Sequence, residues 1–241
     1  MDALQKRYED QINELVESAR RLGDLGYVTS HGGNLSYKVD EETVLITPTK
    51  VVKRKMTFAD IVIVGGTGEV RYAGAGRKPT GETPMHLHLY RLRPDLTGLV
   101  HAHPPVLTGF SMVDCHLLEK PLLPEPVIEV GPVVSVPYAE PISDALARQF
   151  EASAHKSNAW LMQNHGVTIG SAEGVGRALD LLEMVEAMAM SVSVAMRLGK
   201  PMTEISREEV GNLENTMKTR NMPRPGDPRK IKSLQQLYFG G

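Results

Sequence analysis

Residues 174–198 carry Leu, Met, Val and Ala around most of the circumference of one long predicted helix. A helix that is apolar all round has no face to give to water, so the chain's own core or another subunit must cover it. Any fold for the 241-residue chain has to supply that cover. The other elements are shorter. Leu4, Tyr8, Ile12, Leu15, Ala19 and Leu22 recur at three- and four-residue intervals, which predicts an amphipathic helix over 2–22, stopped by Gly23 and Gly26. Residues 43–47, 61–64, 99–103 and 159–162 are short apolar or β-branched runs and read as strands. HGGNLSYKV leads from a glycine-rich turn into another strand, GGTGEV returns the chain in hairpin fashion, and 127–137 holds two further strand candidates. Thr83-Pro84 reads as an N-cap with proline at the first helical position, opening a helix to about Leu92. Ile142, Leu146 and Phe150 mark another amphipathic helix. Helices and strands alternate without a regular βαβ rhythm. The expectation is a single α/β domain over 1–241 with a mixed or antiparallel sheet. An extended tail is expected from about residue 217, where NMPRPGDP (221–228) reads as a linker.

Composition narrows the partners. A formal net charge of -2 gives no overall basic field to attract nucleic acid. The basic cluster Lys53-Arg54-Lys55, with Lys50 nearby, reads as a solvated loop. The single cysteine, Cys115, excludes an internal disulfide, suits a reducing compartment and reads as a small buried hydrophobe. No run of eighteen apolar residues appears, and the N-terminus lacks the apolar centre of a signal peptide. A cytoplasmic protein without a membrane partner is expected.

The chemistry concentrates in histidines. On a strand, His101 and His103 point to one face with Cα atoms roughly 6.5–7 Å apart, close enough for both imidazoles to reach one ion. A pair of histidines on a solvated strand face would show the same spacing. His165, in Asn164-His165-Gly166, emerges where the apolar AWLM strand meets a turn and is placed to complete a three-ligand set. Three imidazoles leave a coordination position open, the pattern of a catalytic zinc site. His86 and His88 sit two apart on a helix, about 200° around, and cannot share a ligand. His86 then faces the site in support, and His88 faces solvent. His31 lies in a glycine-rich turn near the substrate space, while His116 and His155 read as surface residues. KPTGETP, at 78–84, sets Thr80 and Gly81 just before a helix start, where backbone N–H groups and the helix dipole favour an anion. Glu82 stands beside that anion site as a general acid or base. Asn34 in GNLS, with Thr49 and Lys50 in TPTK, could line the same pocket.

GGNLS, LITPT, KPTGE before a helix with His86, LVHAHPP, VPYA and QNHG occur in the order found in the class II aldolase/adducin family, which this sequence resembles over roughly residues 5–200. Within that family it is similar to the L-fuculose 1-phosphate aldolase branch. The resemblance implies a three-layer α/β/α fold with a central, mostly antiparallel sheet. It also implies a homotetramer with active sites at subunit interfaces. It makes His101, His103 and His165 the ligands of Zn2+, with Mn2+ or Co2+ as substitutes, and Glu82 the acid/base carboxylate. Asn34, Thr49 and Thr80 become groups that hold the substrate phosphate, and a tyrosine, Tyr238 or Tyr138, handles the aldehyde oxygen. The implied reaction is cleavage of a ketose 1-phosphate (L-fuculose 1-phosphate-like) into dihydroxyacetone phosphate and an aldehyde. Decarboxylation of a small hydroxy- or keto-acid, and sugar-phosphate 4-epimerase or dehydratase chemistry, use the same scaffold; a non-catalytic adducin-like interaction domain is the reading from another class. Two positions depart from the family pattern. Lys50 stands where a glycine is usual, and Gly81 replaces a serine in the phosphate loop. Phosphate or carboxylate could therefore be the anion.

Overall fold

The structure is a computed structural model that describes residues 2–74, 76–113 and 116–240. Cys115 lies outside the described residues. The predicted N-terminal helix is two helices, α1 (Ala3–Arg7) and α2 (Glu9–Asp24), divided at Tyr8. Then come β1 (Asn34–Asp40), β2 (Thr43–Ile46), β3 (Val62–Gly65) and β4 (Val70–Tyr72), an antiparallel meander. Helix α3 (Thr83–Leu92) precedes β5 (Gly98–Ala102), which returns to pair with β1. Glu82, not Thr83, is the N-cap residue of α3, and the Thr83 hydroxyl donates to the Thr80 carbonyl at 2.6 Å.

The second half departs further from expectation. Helices α4 (Pro105–Ser111) and α5 (Pro124–Glu129) precede β6 (Val133–Val136), so one of the two strand candidates in 127–137 is largely helical. Pro124 sits in the first turn of α5, where its missing N–H costs nothing. Helix α6 (Asp144–Arg148) begins after Ile142, which is 67% exposed and does not face the core. Strands β7 (Ala159–Met162) and β8 (Gly166–Ser171) follow, then α7 (Gly174–Arg197), α8 (Arg207–Thr219) and α9 (Leu234–Phe239).

The eight strands form one sheet in the order β4-β3-β2-β1-β5-β8-β7-β6. All neighbours are antiparallel except β6 and β7. Alternation along the strands divides the apolar residues into two cores. Leu45, Ile63, Val100, Ala102, Val167 and Ile169 join α2 and α7 on one face. Val44, Ile46, Val62, Val64, Leu99 and Trp160 join α3 and α6 on the other. This is the three-layer α/β/α arrangement. Helix α7 finds most of its cover under the first core, yet Met190, Val194 and Met196 near its end stay more than half exposed.

The stretch 220–233 has no helix or strand longer than a turn, but it is docked. Buried Arg93 donates to the Gly226 carbonyl at 3.0 Å, and Val127, Val210, Met217 and Leu234 close a third small core. Lys53 is the other departure. It lies in a 3-10 turn (Lys53–Lys55) and is 1% exposed, not solvated. No described helix is long and apolar enough to cross a membrane.

Candidate metal centre

Strand register assembles the site. Asn34 on β1 lies opposite His101 on β5, and His101 lies opposite Thr168 on β8. Because Val100 and Ala102 face α7, His101 faces α3, on the same side as Leu99. The fully buried His101 ring is fixed by contacts from Nδ1 to the Val167 carbonyl at 3.1 Å and to Thr168 Oγ1 at 3.3 Å. A carbonyl only accepts, so Nδ1 carries the proton and the Nε2 lone pair points into the site.

His103 lies one residue past the strand, where its backbone N–H donates to the Tyr27 carbonyl at 2.9 Å. His165 sits in the turn between β7 and β8, after Asn164 in the left-handed region (φ 54). Gly166 must be glycine, because a side chain there would collide with the Ala102 carbonyl and the His103 ring. Gly33, at φ 65, is likewise required: a Cβ would lie 2.8 Å from the His101 carbonyl and overlap Val28. The GGN and NHG motifs thus shape the backbone around the histidines.

The three histidines offer ring nitrogens that all lie within 4.8 Å of one another. His101 Nε2 and His103 Nε2 are 3.1 Å apart. Nitrogens about 2.0–2.1 Å from one tetrahedral ion stand roughly 3.3 Å from each other, so this spacing suits a shared metal. Burial, followed by the neighbouring histidines, holds the His101 imidazole well below its ordinary range, and burial then His165 lowers His103. Neutral imidazoles are the form a metal needs. The donor set therefore fits a divalent ion.

Glu82, 7% exposed, enters from the N-terminus of α3. Its Oε2 is 3.4 Å from His101 Nε2, and its Oε1 is 3.6 Å from His165 Nε2. Asn34 Nδ2 donates to Oε2 at 2.6 Å. Oε1 has no hydrogen-bond partner although buried. A buried unpaired carboxylate oxygen is costly and marks a place where another group binds.

The remaining expected residues divide. A bridge between Pro48 and Pro79 joins the TPTK and KPTGE loops, with Thr49 N–H donating to the Lys78 carbonyl at 3.0 Å and Thr80 N–H to the Thr47 carbonyl at 3.1 Å. Thr49, Lys50, Thr80 and Gly81 therefore share one wall, with Thr49 and Lys50 exposed. Lys50 adopts φ 59, the left-handed conformation that explains a glycine at this position. Asn34, expected on a phosphate, spends its amide on Glu82 and His86. Tyr238 is not with the histidines: it lines a cleft with Pro132 and His155 at the entry to β6, whereas His165 follows the exit of the parallel strand β7. Tyr138 is 57% exposed, its N–H 3.4 Å from Gln163 Oε1. His88 faces Glu151 at 3.2 Å rather than open solvent. Sequence reasoning missed Tyr90 and expected Ser36, in GNLS, at the anion pocket; both instead continue the buried polar chain beyond His86. Their signal is the face they share: Ser36 alternates with Asn34, and Tyr90 follows His86 by one helical turn.

The Class II Aldolase and Adducin N-terminal domain model matches residues 13–192. A 3-oxo-tetronate 4-phosphate decarboxylase from Haemophilus influenzae is 28% identical over 204 residues, 83% of this chain and 94% of that protein. Its counterpart from Pectobacterium atrosepticum is 31% identical over 184 residues, 75% of this chain and 83% of that protein. The L-fuculose phosphate aldolase of Escherichia coli (strain K12) is 26% identical over 208 residues, 86% and 93% of the two chains. Among solved structures, YgbL of Klebsiella pneumoniae, described as a candidate aldolase/epimerase/decarboxylase, superposes with a TM-score of 0.76 at 28% identity, covering 85% of this chain and 98% of that one. An L-fuculose 1-phosphate aldolase superposes at 0.75 and 27%, covering 87% and 96%.

Proposed function

This chain belongs to the class II aldolase and adducin family, and from that premise we propose that it is a metal-dependent lyase that decarboxylates a small phosphorylated 3-oxo sugar acid. The observation that carries the reading is the unpaired Glu82 Oε1 facing the convergent nitrogens of His101, His103 and His165. When bound, the metal supplies Lewis-acid polarisation of the substrate carbonyl; three imidazoles favour Zn2+, with Mn2+ or Co2+ able to substitute. Glu82 passes a proton drawn from water to the carbon that loses carbon dioxide. Thr49, Lys50, Thr80 and the Gly81 backbone hold the anionic end of the substrate, with the cation of Lys50 offsetting the hydroxyl missing at Gly81.

Aldol cleavage of a ketose 1-phosphate is the second reading, supported by the likeness to L-fuculose phosphate aldolases. It differs in one requirement: a base must take the proton of the hydroxyl that becomes the aldehyde. Carbon dioxide leaves without such a step. Tyr238, the expected candidate, lies a strand length from His165 within its own chain and does not supply that base there. The apolar strip of Met190, Val194 and Met196 supports a homotetramer, and a neighbouring copy is where a tyrosine for aldol cleavage would come from.

The test supplies the zinc-loaded protein with 3-oxo-tetronate 4-phosphate and a panel of ketose 1-phosphates. Carbon dioxide from the first, without dihydroxyacetone phosphate from the second, is the expected result. The reverse outcome establishes aldol cleavage instead, and no turnover of either refutes a lyase acting on phosphorylated sugars.

A further inference from the structure

Behind Glu82 runs a buried chain of hydrogen bonds through four side chains. Asn34 Nδ2 meets Glu82 Oε2 at 2.6 Å, and Asn34 Oδ1 meets His86 Nε2 at 2.5 Å. His86 Nδ1 meets Ser36 Oγ at 2.7 Å, and Ser36 Oγ meets the Tyr90 hydroxyl at 2.9 Å. His86 and Ser36 are fully buried, and Asn34 and Tyr90 nearly so.

The proton positions follow from one end. A carboxylate only accepts, so Asn34 must present its NH2 to Glu82 and its carbonyl oxygen to His86. That oxygen also only accepts, which puts the His86 proton on Nε2 and leaves Nδ1 as an acceptor. Ser36 must then donate its hydroxyl proton to Nδ1, which leaves Tyr90 as the donor in the 2.9 Å contact with Ser36 Oγ, its one proton shared with the Ser36 and Thr97 carbonyls at 3.1 and 3.3 Å. Burial agrees with a neutral ring, holding His86 down to about 4. Every bond points toward the carboxylate.

We propose that His86 is a positioning residue: through Asn34 it holds Glu82 by Oε2, so that Oε1 is the oxygen presented to substrate. The inference rests on the role of Glu82 in the proposed function, and it explains why only one of the two carboxylate oxygens lacks a partner. It also reassigns Asn34, whose side chain reaches the reaction through Glu82 rather than through a substrate anion. Were His86 replaced by an apolar residue, Asn34 Oδ1 would be left buried and unpaired. The amide could then rotate, and Glu82 would lose its fixed donor.

Two measurements test this on the metal-loaded full chain. Long-range 1H–15N correlation of labelled histidines, with His86 assigned by its loss in His86→Gln, is expected to show a neutral ring protonated on Nε2 at pH 7. A ring protonated on Nδ1, or an imidazolium, overturns the inference whether or not a substrate is known. This arm reads the wild-type protein, so an apolar variant that fails to fold leaves it decided. With the substrate that the panel identifies, His86→Leu is expected to lower kcat at least tenfold, with KM within twofold and metal content unchanged. His86→Gln, whose amide can still donate to Asn34, should recover most of that loss. A His86→Leu protein with normal kcat, or a His86→Gln protein as impaired as His86→Leu, overturns the positioning role. If wild-type protein turns over nothing on the panel, the functional reading fails while the tautomer still decides the inference.

Discussion

Gly81 and Ile142 compete for one volume: a Cβ added at Gly81 would sit 2.8 Å from Ile142 Cγ2. Ile142 is held at φ 64, a conformation that costs a β-branched residue roughly 1–3 kcal/mol, yet its side chain is mostly exposed. A serine at position 81 would require the Ile142 side chain to shift. Gly81→Ser alone should therefore lower the unfolding free energy by about 1–3 kcal/mol through overpacking. In an Ile142→Ala background the same substitution should cost at least about 1 kcal/mol less. Urea titration of the four proteins in the cycle measures this coupling, and additive effects would show that the two positions are independent.

Lys53 is the buried cation that the sequence does not announce. Its ammonium has carbonyl acceptors of His31 and Val51 at 3.3 and 3.4 Å and no described ion pair, and burial pushes it down to about 8. From pH 8 to 10.5 the unfolded chain holds a proton that the folded chain releases, so stability rises with pH across that window. Below pH 8 the cost of burying the charge is present in full. Lys53→Met should stabilise the protein by about 1–3 kcal/mol at pH 7. The advantage should shrink toward pH 10.5. A Met variant less stable than wild type at pH 7 would mean that the two carbonyl bonds outweigh desolvation.

What was legible in the sequence had local causes. The histidine spacing is a property of strand geometry, and the early strands announce themselves by β-branched runs ended by Pro or Gly. Strand β8 escaped because Gly166 and Gly170 interrupt its apolar run, and glycine in isolation reads as a turn; its reason is contact with Ala102 and Trp160 across space. Residues 127–129, at the start of a stretch expected to hold two strands, instead end the helix that Pro124 begins. The contact of Asn34 on β1 with Glu82 at the start of α3 joins residues 48 apart, which no local pattern encodes. Lys53 is the same failure in reverse: charge predicts exposure only until tertiary packing closes over it.

Metal retention should separate the ligands from the carboxylate. His103→Ala removes one of three nitrogens and should lose at least tenfold in zinc affinity, measured by competition with a chromophoric chelator. Glu82→Gln leaves the three nitrogens in place and should keep zinc while losing at least a hundredfold in kcat. Equal zinc loss in both variants would make Glu82 a fourth ligand in place of a proton carrier.

Acid should unfold the metal-free protein in a window that His86 helps to set. Burial holds His86 to about 4 in the folded chain against an ordinary 6.5. Between those values the unfolded chain takes up a proton that the folded chain refuses, so stability falls as pH falls. Above pH 6.5 both states are neutral and the contribution is fully present; below pH 4 no further loss comes from this group. The whole loss from His86 is about 3 kcal/mol. His101 and His103, lowered for the same reason, add losses of the same sign. Urea unfolding of the metal-free protein at pH 7.5, 5.5 and 4.5 should show a progressive fall, and His86→Gln, which has no ring to protonate, should show a shallower one. Parallel pH curves for the two proteins would mean that His86 takes up its proton equally in the folded and unfolded chains. The folded chain would then hold an imidazolium below pH 6.5, and the donor chain to Glu82 would break there, because an imidazolium has no lone pair to accept the Ser36 proton.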